Sequence, residues 1–310
     1  MAQKNITRRE LLQASAALGC LAAAPFAFAD AEPESTDRPK SSTVANPLKP
    51  PAEGSIPVAF LVSDGAVVID FAGPWEVFQD VSIPGRKDAA FSMYTVSETT
   101  KPIQASGGMK IVPDYSIENA PAPKVLVIPA QSDPSEAVME WVRKSAKSAD
   151  VTMSVCTGAY LLAKTGLLAG KAATTHHSSY VDLAMKYPDI HVKRGARFVE
   201  DGNLASSGGL SSGIDLAFRV VERYFGREVT KQIAYDMEYQ GQGWMSPNSN
   251  EIYAKARASM DNHPVCAVCG MAIDLETSPK SVYQGKKYYF CSTPHKDQFD
   301  AAPKSYVKAD

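Results

Sequence analysis

Thr152-Met153-Ser154-Val155-Cys156-Thr157-Gly158-Ala159-Tyr160-Leu161-Leu162 is the stretch whose reading decides the fold. An apolar, β-branched run delivers the chain to Cys156, and a small-residue turn then opens into a helical pattern reaching about Leu168. A cysteine at such a strand-to-helix turn has the geometry of a nucleophile elbow. The unpaired N–H groups at the helix start point at the sulfur and are expected to favour thiolate over thiol. The alternative is an inert core cysteine, since free cysteine is among the residue types most often buried.

Working outward, residues 56–62, 91–96 and 125–129 are apolar runs that read as buried strands. Between them, Asp70-Phe71-Ala72-Gly73-Pro74 turns into a helical stretch carrying Trp75, Val77 and Phe78. Gly107-Gly108 breaks the chain ahead of an alternating segment near Lys110-Ile111-Val112. An amphipathic helix is predicted over 134–147, with Val138, Met139, Trp141 and Val142 on its apolar face. Beyond the elbow, a short strand over 173–179 ends in His176-His177 and leads to a helix over 180–187. Residues 198–206 read as a hairpin turning at Asp201-Gly202. Gly208-Gly209 then opens a long helix with Ile214, Leu216, Ala217, Val220 and Val221 on one face.

Strands alternating with helices predict an α/β fold, a parallel sheet with helices on both faces. Reactive groups in such sheets gather at the carboxyl ends of the strands. Cys156 is at one such end, Asp70 lies in the loop beyond another, and Pro129-Ala130-Gln131 closes a third. Asp70 could instead be a helix cap, and His176 an ordinary polar residue ending a strand. Glu76, Glu200 and Asp236 read as solvated charges.

The 310 residues carry a formal net charge of −2, so no basic surface asks for nucleic acid. Residues 1–29 hold Arg8-Arg9, an alanine-rich apolar run and a closing Ala27-Phe28-Ala29, the layout of a signal peptide. The paired arginines resemble the twin-arginine (Tat) export signal of bacteria, which implies a periplasmic or exported protein. An uncleaved anchor is disfavoured because the apolar run is shorter than the roughly 20 residues a span needs. A lipid-modified Cys20 has a poor match to a lipobox before it. Residues 30–55, rich in Pro, Ser, Glu and Lys, read as a disordered linker.

After Arg257 the composition changes. Cys266 and Cys269 form a C-x-x-C pair, and Cys291 and His295 a C-x-x-x-H pair. Two close pairs of soft ligands separated by a hairpin-sized segment suit a tetrahedral metal site. Such a Cys₃His set is closed, so bound zinc would be structural; copper(I) also suits thiolates. A Cys266–Cys269 disulfide is the alternative in an oxidising compartment.

The succession Asp70-Phe71-Ala72-Gly73-Pro74, Ser154-Val155-Cys156-Thr157-Gly158, Thr174-Thr175-His176 and Ser207-Gly208-Gly209 resembles the ThiJ/PfpI superfamily. These are flavodoxin-like, class-I glutamine-amidotransferase-like domains, and the resemblance covers about residues 56–256. It is strongest to the branch of isonitrile hydratase and of the N-terminal domains of AraC-type regulators, which share a late Glu-Tyr, here Glu238-Tyr239. The resemblance implies a reactive Cys156, a facing carboxylate at Asp70, Thr157 beside the substrate, and a pocket histidine at His176. Ala130 and Gln131 stand where members usually show Gly-Gly, which alters the oxyanion or substrate pocket. It also implies a small-molecule substrate, no cofactor for this domain, and a homodimer. Residues 261–310 resemble a YHS domain, through Cys269-Gly270-Met271, Tyr283, Gly285, Tyr288-Tyr289-Phe290-Cys291-Ser292, Phe299 and Tyr306. His295 stands where many members carry another cysteine.

These features lead to a cysteine-dependent enzyme, most like an isonitrile hydratase, with Cys156 attacking and Asp70 as general acid and base. Amidase, glyoxalase or deglycase chemistry is the competing enzyme reading, and Asp70 in place of the glutamate common there argues against it. A redox or metal sensor is the non-enzymatic alternative.

Overall fold

The computed structural model describes residues 44–254 and 264–307; the expected signal peptide lies outside them. Among the described residues, no helix is long and apolar enough to cross a membrane.

The first strands and helix are β1 (Ile56–Leu61), α1 (Val68–Gln79), β2 (Phe91–Ser97) and β3 (Tyr115–Ser116). They are followed by β4 (Val125–Ile128), α2 (Glu136–Ser148), β5 (Val151–Ser154), α3 (Gly158–Lys164) and α4 (Tyr180–Lys186). The hairpin β6 (Phe198–Asp201) and β7 (Leu204–Ser207) leads into α5 (Ser212–Phe225) and α6 (Arg227–Asp236). Seven strands form one sheet in the order β6-β7-β5-β4-β1-β2-β3. All pairings are parallel except β6 with β7 at the edge. The sheet is therefore mixed only at the hairpin, whose tight turn leaves no room for a crossover.

Alternating side chains of β1 feed two cores, as a strand's period of two requires. Val58 and Phe60 pack with Phe78, Phe91, Leu216 and Phe218 on the α1/α5 face. Ala59 and Leu61 pack with Leu126, Ile128, Val142 and Leu162 on the α2/α3 face. The flavodoxin-like α/β sandwich follows from this two-sided burial.

Four local expectations change. Asp70 is not in a loop: it occupies the first turn of α1, which runs on through Pro74. The helix starts early because outside groups satisfy its first donors, the Ala130 carbonyl for Val67 N–H (2.8 Å) and the Ser106 hydroxyl for Val68 N–H (3.1 Å). The elbow helix stops at Lys164, short of Leu168, where the Thr165 hydroxyl bonds the Leu162 carbonyl and Gly166 takes φ +79°. Residues 44–55 are no free linker. Arg219 and Arg223 of α5 donate to the carbonyls of Ala45 (2.7 Å) and Asn46 (2.8 Å), and Leu48 packs on the core. Buried guanidinium groups carry more donors than side-chain acids can satisfy, and this strand of chain supplies the missing acceptors. Glu200 likewise is not solvated; it pairs with Arg219 (2.9 Å) and Arg223 (3.0 Å).

One glycine is indispensable. A Cβ on Gly158 would sit 2.2 Å from the Ile128 carbonyl oxygen and 2.8 Å from that of Pro129, both backbone atoms unable to rotate away. Gly158→Ala is expected to destabilise the fold by about 3 kcal/mol, read as a shift in the urea midpoint.

The C-terminal module is a small hairpin, β8 (Lys280–Tyr283) with β9 (Lys286–Tyr289), followed by α7 (Thr293–Ala301). Its core of Cys266, Val268, Cys269, Phe290 and Phe299 also includes Val181 of α4, so the module is seated on the larger domain.

Candidate active site and metal centre

Cys156 follows the end of β5 with φ +56°, the left-handed region that costs a non-glycine residue conformational energy. The turn is pinned on both sides. Its N–H donates to the Gly208 carbonyl (3.0 Å), and its carbonyl accepts from the Thr175 hydroxyl (3.0 Å). The side chain projects where three donors converge on sulfur: the N–H groups of Thr157 and Leu210, and the Thr157 hydroxyl.

The expected preference for thiolate is overturned. Burial and then the charge of Asp70 push the Cys156 thiol up to about 11, and the three donors pull it down only in part. The residue is 7% exposed and its helix is only seven residues long, so desolvation wins over the dipole. At neutral pH the Cys156 sulfur is therefore a protonated thiol, which a base would have to deprotonate before it could attack.

Asp70 is near enough for its charge to act on that thiol. It is fully buried, and burial lifts its carboxyl to about 6 against the lowering effect of a backbone hydrogen bond. That bond comes from Ala130 N–H to Oδ2 at 3.1 Å, while Oδ1 is buried with no partner. Asp70 is therefore not a helix cap but a carboxylate with one free oxygen. Ala130 is corrected in role: its N–H is committed to Asp70 and is not free for a developing oxyanion. Gln131 is corrected too. Its amide donates to the Leu61 carbonyl (3.1 Å), and the residue lines a cavity of about 50 Å³ with Leu161 and Pro134, apart from the sulfur. A larger space of about 700 Å³, between Glu200, Arg219, Glu222 and Trp244, lies elsewhere and includes neither Cys156 nor Asp70.

His176 caps the turn before α4. Its Nδ1 faces the Ser178 hydroxyl (2.8 Å) and accepts from Ser178 N–H (3.3 Å), and burial holds its pKa below the usual value, keeping it neutral. Its ring lies over Gly209, where an added Cβ would fall 2.2 Å from Cδ2. Gly209 and Leu210 (φ +43°) form the turn that presents the second N–H to Cys156. Arg197 fastens this turn, donating to Ser211 (3.1 Å) and to Asp215 (2.6 Å), while Asp215 also accepts from Trp244 N–H (2.9 Å). Asp215→Ala leaves a largely buried arginine unpaired, and a loss of about 3–5 kcal/mol in urea unfolding is expected.

Leu210 escaped the sequence reading because an N–H donor carries no residue signature. The available signal was Ser207-Gly208-Gly209, small residues ending the strand next to that of the cysteine.

The four C-terminal ligand candidates do come together. Their ligand atoms all lie within 4.8 Å of one another, and all are buried or half-buried. Cys269 and Cys291 sulfurs are 3.6 Å apart, and His295 Nδ1 lies 3.6 Å from Cys266 and 3.1 Å from Cys291. Ligands at zinc's usual bond lengths of about 2.0–2.3 Å stand at about 3.5–3.8 Å along a tetrahedron's edges, so the spacing fits. All four described cysteines are free thiols rather than a disulfide pair. Hydrogen bonding within the cluster, from Cys269 first, holds the Cys266 thiol far below its usual range. The hydrogen bond to Cys266 and burial push Cys269 up, and burial and the charge on Cys266 push Cys291 up. Three sulfurs and an imidazole nitrogen gathered within 4.8 Å form a soft donor set that could hold a metal ion. Outside the cluster, His295 Nε2 lies 2.8 Å from Asp182 Oδ1, on α4 of the larger domain.

A flavodoxin-like sheet with a cysteine on a strained elbow and a buried carboxylate beside it defines a class of α/β protein. Residues 57–223 match the profile of the DJ-1/PfpI family, and the chain belongs to that family. Residues 267–310 match the YHS domain. The chain is 30% identical to an isonitrile hydratase of Pseudomonas putida over 190 residues, 60% of this chain and 79% of that protein. It is 24% identical to the transcriptional regulator GbdR of Pseudomonas aeruginosa, over 64% of this chain and 55% of the regulator. Among solved structures, a ThiJ/PfpI family protein from Pseudomonas syringae superposes with a TM-score of 0.54 at 24% identity, covering 68% of this chain and 83% of the other. Drosophila melanogaster DJ-1beta superposes at 0.52 and 19%, covering 60% and 98%. These two likenesses speak for the fold.

Proposed function

We propose that the protein hydrates a small isonitrile to an N-substituted formamide, using Cys156 as nucleophile and Asp70 as general base and acid. The observation that carries this is the pairing of a protonated elbow thiol with a buried carboxylate that titrates near 6 and keeps one oxygen free. The similarity to an isonitrile hydratase supports the same reading.

The Asp70 carboxylate takes the Cys156 proton as sulfur attacks the terminal carbon, and returns it to that carbon, leaving a thioimidate. Asp70, ionised again, then takes a proton from water as the hydroxide adds to the same carbon, and passes that proton to the imine nitrogen. Collapse breaks the carbon–sulfur bond, the hydroxyl proton returns to sulfur, and the formamide leaves. Thr157, whose N–H and hydroxyl already face the sulfur, orients the adduct. His176, neutral and donating from Nε2, would border the substrate.

The test is direct: wild type incubated with a small alkyl isonitrile should release the formamide. No formamide above the buffer rate sinks the proposal. The sensor reading is disfavoured by the same thiol, because a sulfur held protonated reacts slowly with peroxide.

Around this core we infer an exported, periplasmic protein made of the signal peptide at 1–29, the catalytic domain and the YHS module. Cys266, Cys269, Cys291 and His295 would hold a structural zinc or a copper(I) ion there. The family likeness also points to a homodimer, which the solution mass from sedimentation equilibrium checks.

A further inference from the structure

The YHS module brings three thiols and a histidine to its metal centre, but the carboxylate behind that histidine belongs to the other domain. Asp182 lies 113 residues earlier in the chain, on α4, and its Oδ1 is 2.8 Å from His295 Nε2. The adjacent Val181 is 5% exposed and built into the module's core. His295 is 1% exposed, with Nδ1 turned to the sulfurs of Cys291 (3.1 Å) and Cys266 (3.6 Å).

The imidazole can serve both neighbours in one neutral form only. Nε2 must carry the hydrogen that goes to Asp182, leaving the Nδ1 lone pair for a metal. Ligand histidines are commonly fixed this way by an outer carboxylate, whose loss weakens metal binding about 10–100-fold. Here the outer carboxylate stands across a module boundary.

We propose that Asp182 is a positioning residue for the metal centre, so that metal binding and seating of the YHS module on α4 are one linked equilibrium. This rests on the reading of the four residues as a metal site. Linkage is reciprocal: a metal that favours the seated module must be bound more tightly by it. The consequence reaches the other site. α4 begins where the turn His177–Ser179 ends, and His176 caps that turn and covers Gly209, next to the Leu210 N–H that faces Cys156. Metal occupancy would thereby steady one wall of the active site without contributing an atom to it.

The experiment uses the full chain and zinc alone as probe. Zinc affinity is measured by competition with a chromophoric chelator for wild type, Asp182→Asn and Asp182→Ala, and hydrogen exchange of the α4 amides is followed with and without zinc. Wild type is expected to bind one zinc and to slow exchange in α4 on binding it. Asp182→Ala should bind zinc 10–100-fold more weakly and lose the zinc effect on α4. Asp182→Asn, which keeps an acceptor but not the charge, should fall between. A merely structural role would leave this order flat. An Asp182→Ala affinity within twofold of wild type, or α4 exchange in wild type indifferent to zinc, overturns the linkage while leaving the metal site standing. A wild type that binds no zinc removes the metal site itself, and the linkage with it.

Discussion

Cys156→Ala is expected to lower isonitrile turnover by about 10⁴-fold or more, the scale of losing a covalent nucleophile. Cys156→Ser should do almost as badly despite keeping the shape of the side chain. A hydroxyl is a much weaker acid than a thiol, and a carboxylate titrating near 6 cannot take its proton at useful speed. Intact-protein mass spectrometry of a quenched wild-type reaction should show an adduct heavier by one isonitrile, absent from both variants. Full activity in Cys156→Ala would end the covalent mechanism. The pH profile separates the partners further. The productive pair is ionised Asp70 with protonated Cys156, so the rate should rise as pH climbs through about 6 and hold until the thiol ionises near 11. A rate that instead falls above pH 6 would mean that Asp70 must start protonated, which removes it as the base.

Asp70→Asn should abolish turnover and yet make the protein more stable at neutral pH. Burial raises the folded-state pKa of Asp70 from 3.8 to about 6, so folding favours its protonated form. The stability linked to that proton is full below about pH 4 and is lost as pH rises through 6; the offset corresponds to about 3 kcal/mol. Asparagine keeps the acceptor for Ala130 N–H and carries no charge to desolvate. Its advantage in chemical denaturation should therefore be about 2–3 kcal/mol at pH 7.5 and vanish at pH 4. The rate should drop by about 10²–10⁴-fold, the usual worth of a general acid–base group. An Asp70→Asn protein less stable than wild type at pH 7.5 would mean that another group compensates the buried carboxylate. Such opposition of stability and activity is common where a charge is kept in the core for chemistry.

The α/β architecture was legible because its signals are local. Alternating apolar runs and turn residues marked the strands, and Asp201-Gly202 marked the hairpin at the antiparallel edge of the seven-stranded sheet. The elbow at Cys156 and the C-x-x-C and C-x-x-x-H pairs were legible for the same reason. What a residue's partners do to it was not. Whether Cys156 is thiol or thiolate depends on burial and on a charge 86 positions away at Asp70, which outweigh a short helix. That Ala130 spends its N–H on Asp70 is a tertiary fact with no trace in the residue type. The packing of residues 44–55 was hidden because a Pro-rich segment can be ordered by its backbone carbonyls alone, and arginine donors 174 and 177 residues later provide the partners. Asp182 was the least visible, one acid among many until the second module folds against it.

The left-handed backbone at Cys156 has a consequence for descent. On the proposed mechanism, the sulfur's usefulness holds a cysteine at a position whose geometry suits glycine or asparagine better. In a lineage where the reaction no longer matters, the cost of that backbone remains and the benefit is gone. Drift at position 156 should then run toward glycine and asparagine rather than toward alanine or serine. The residue found at this turn in any descendant thus serves as a record of whether its chemistry is still under selection.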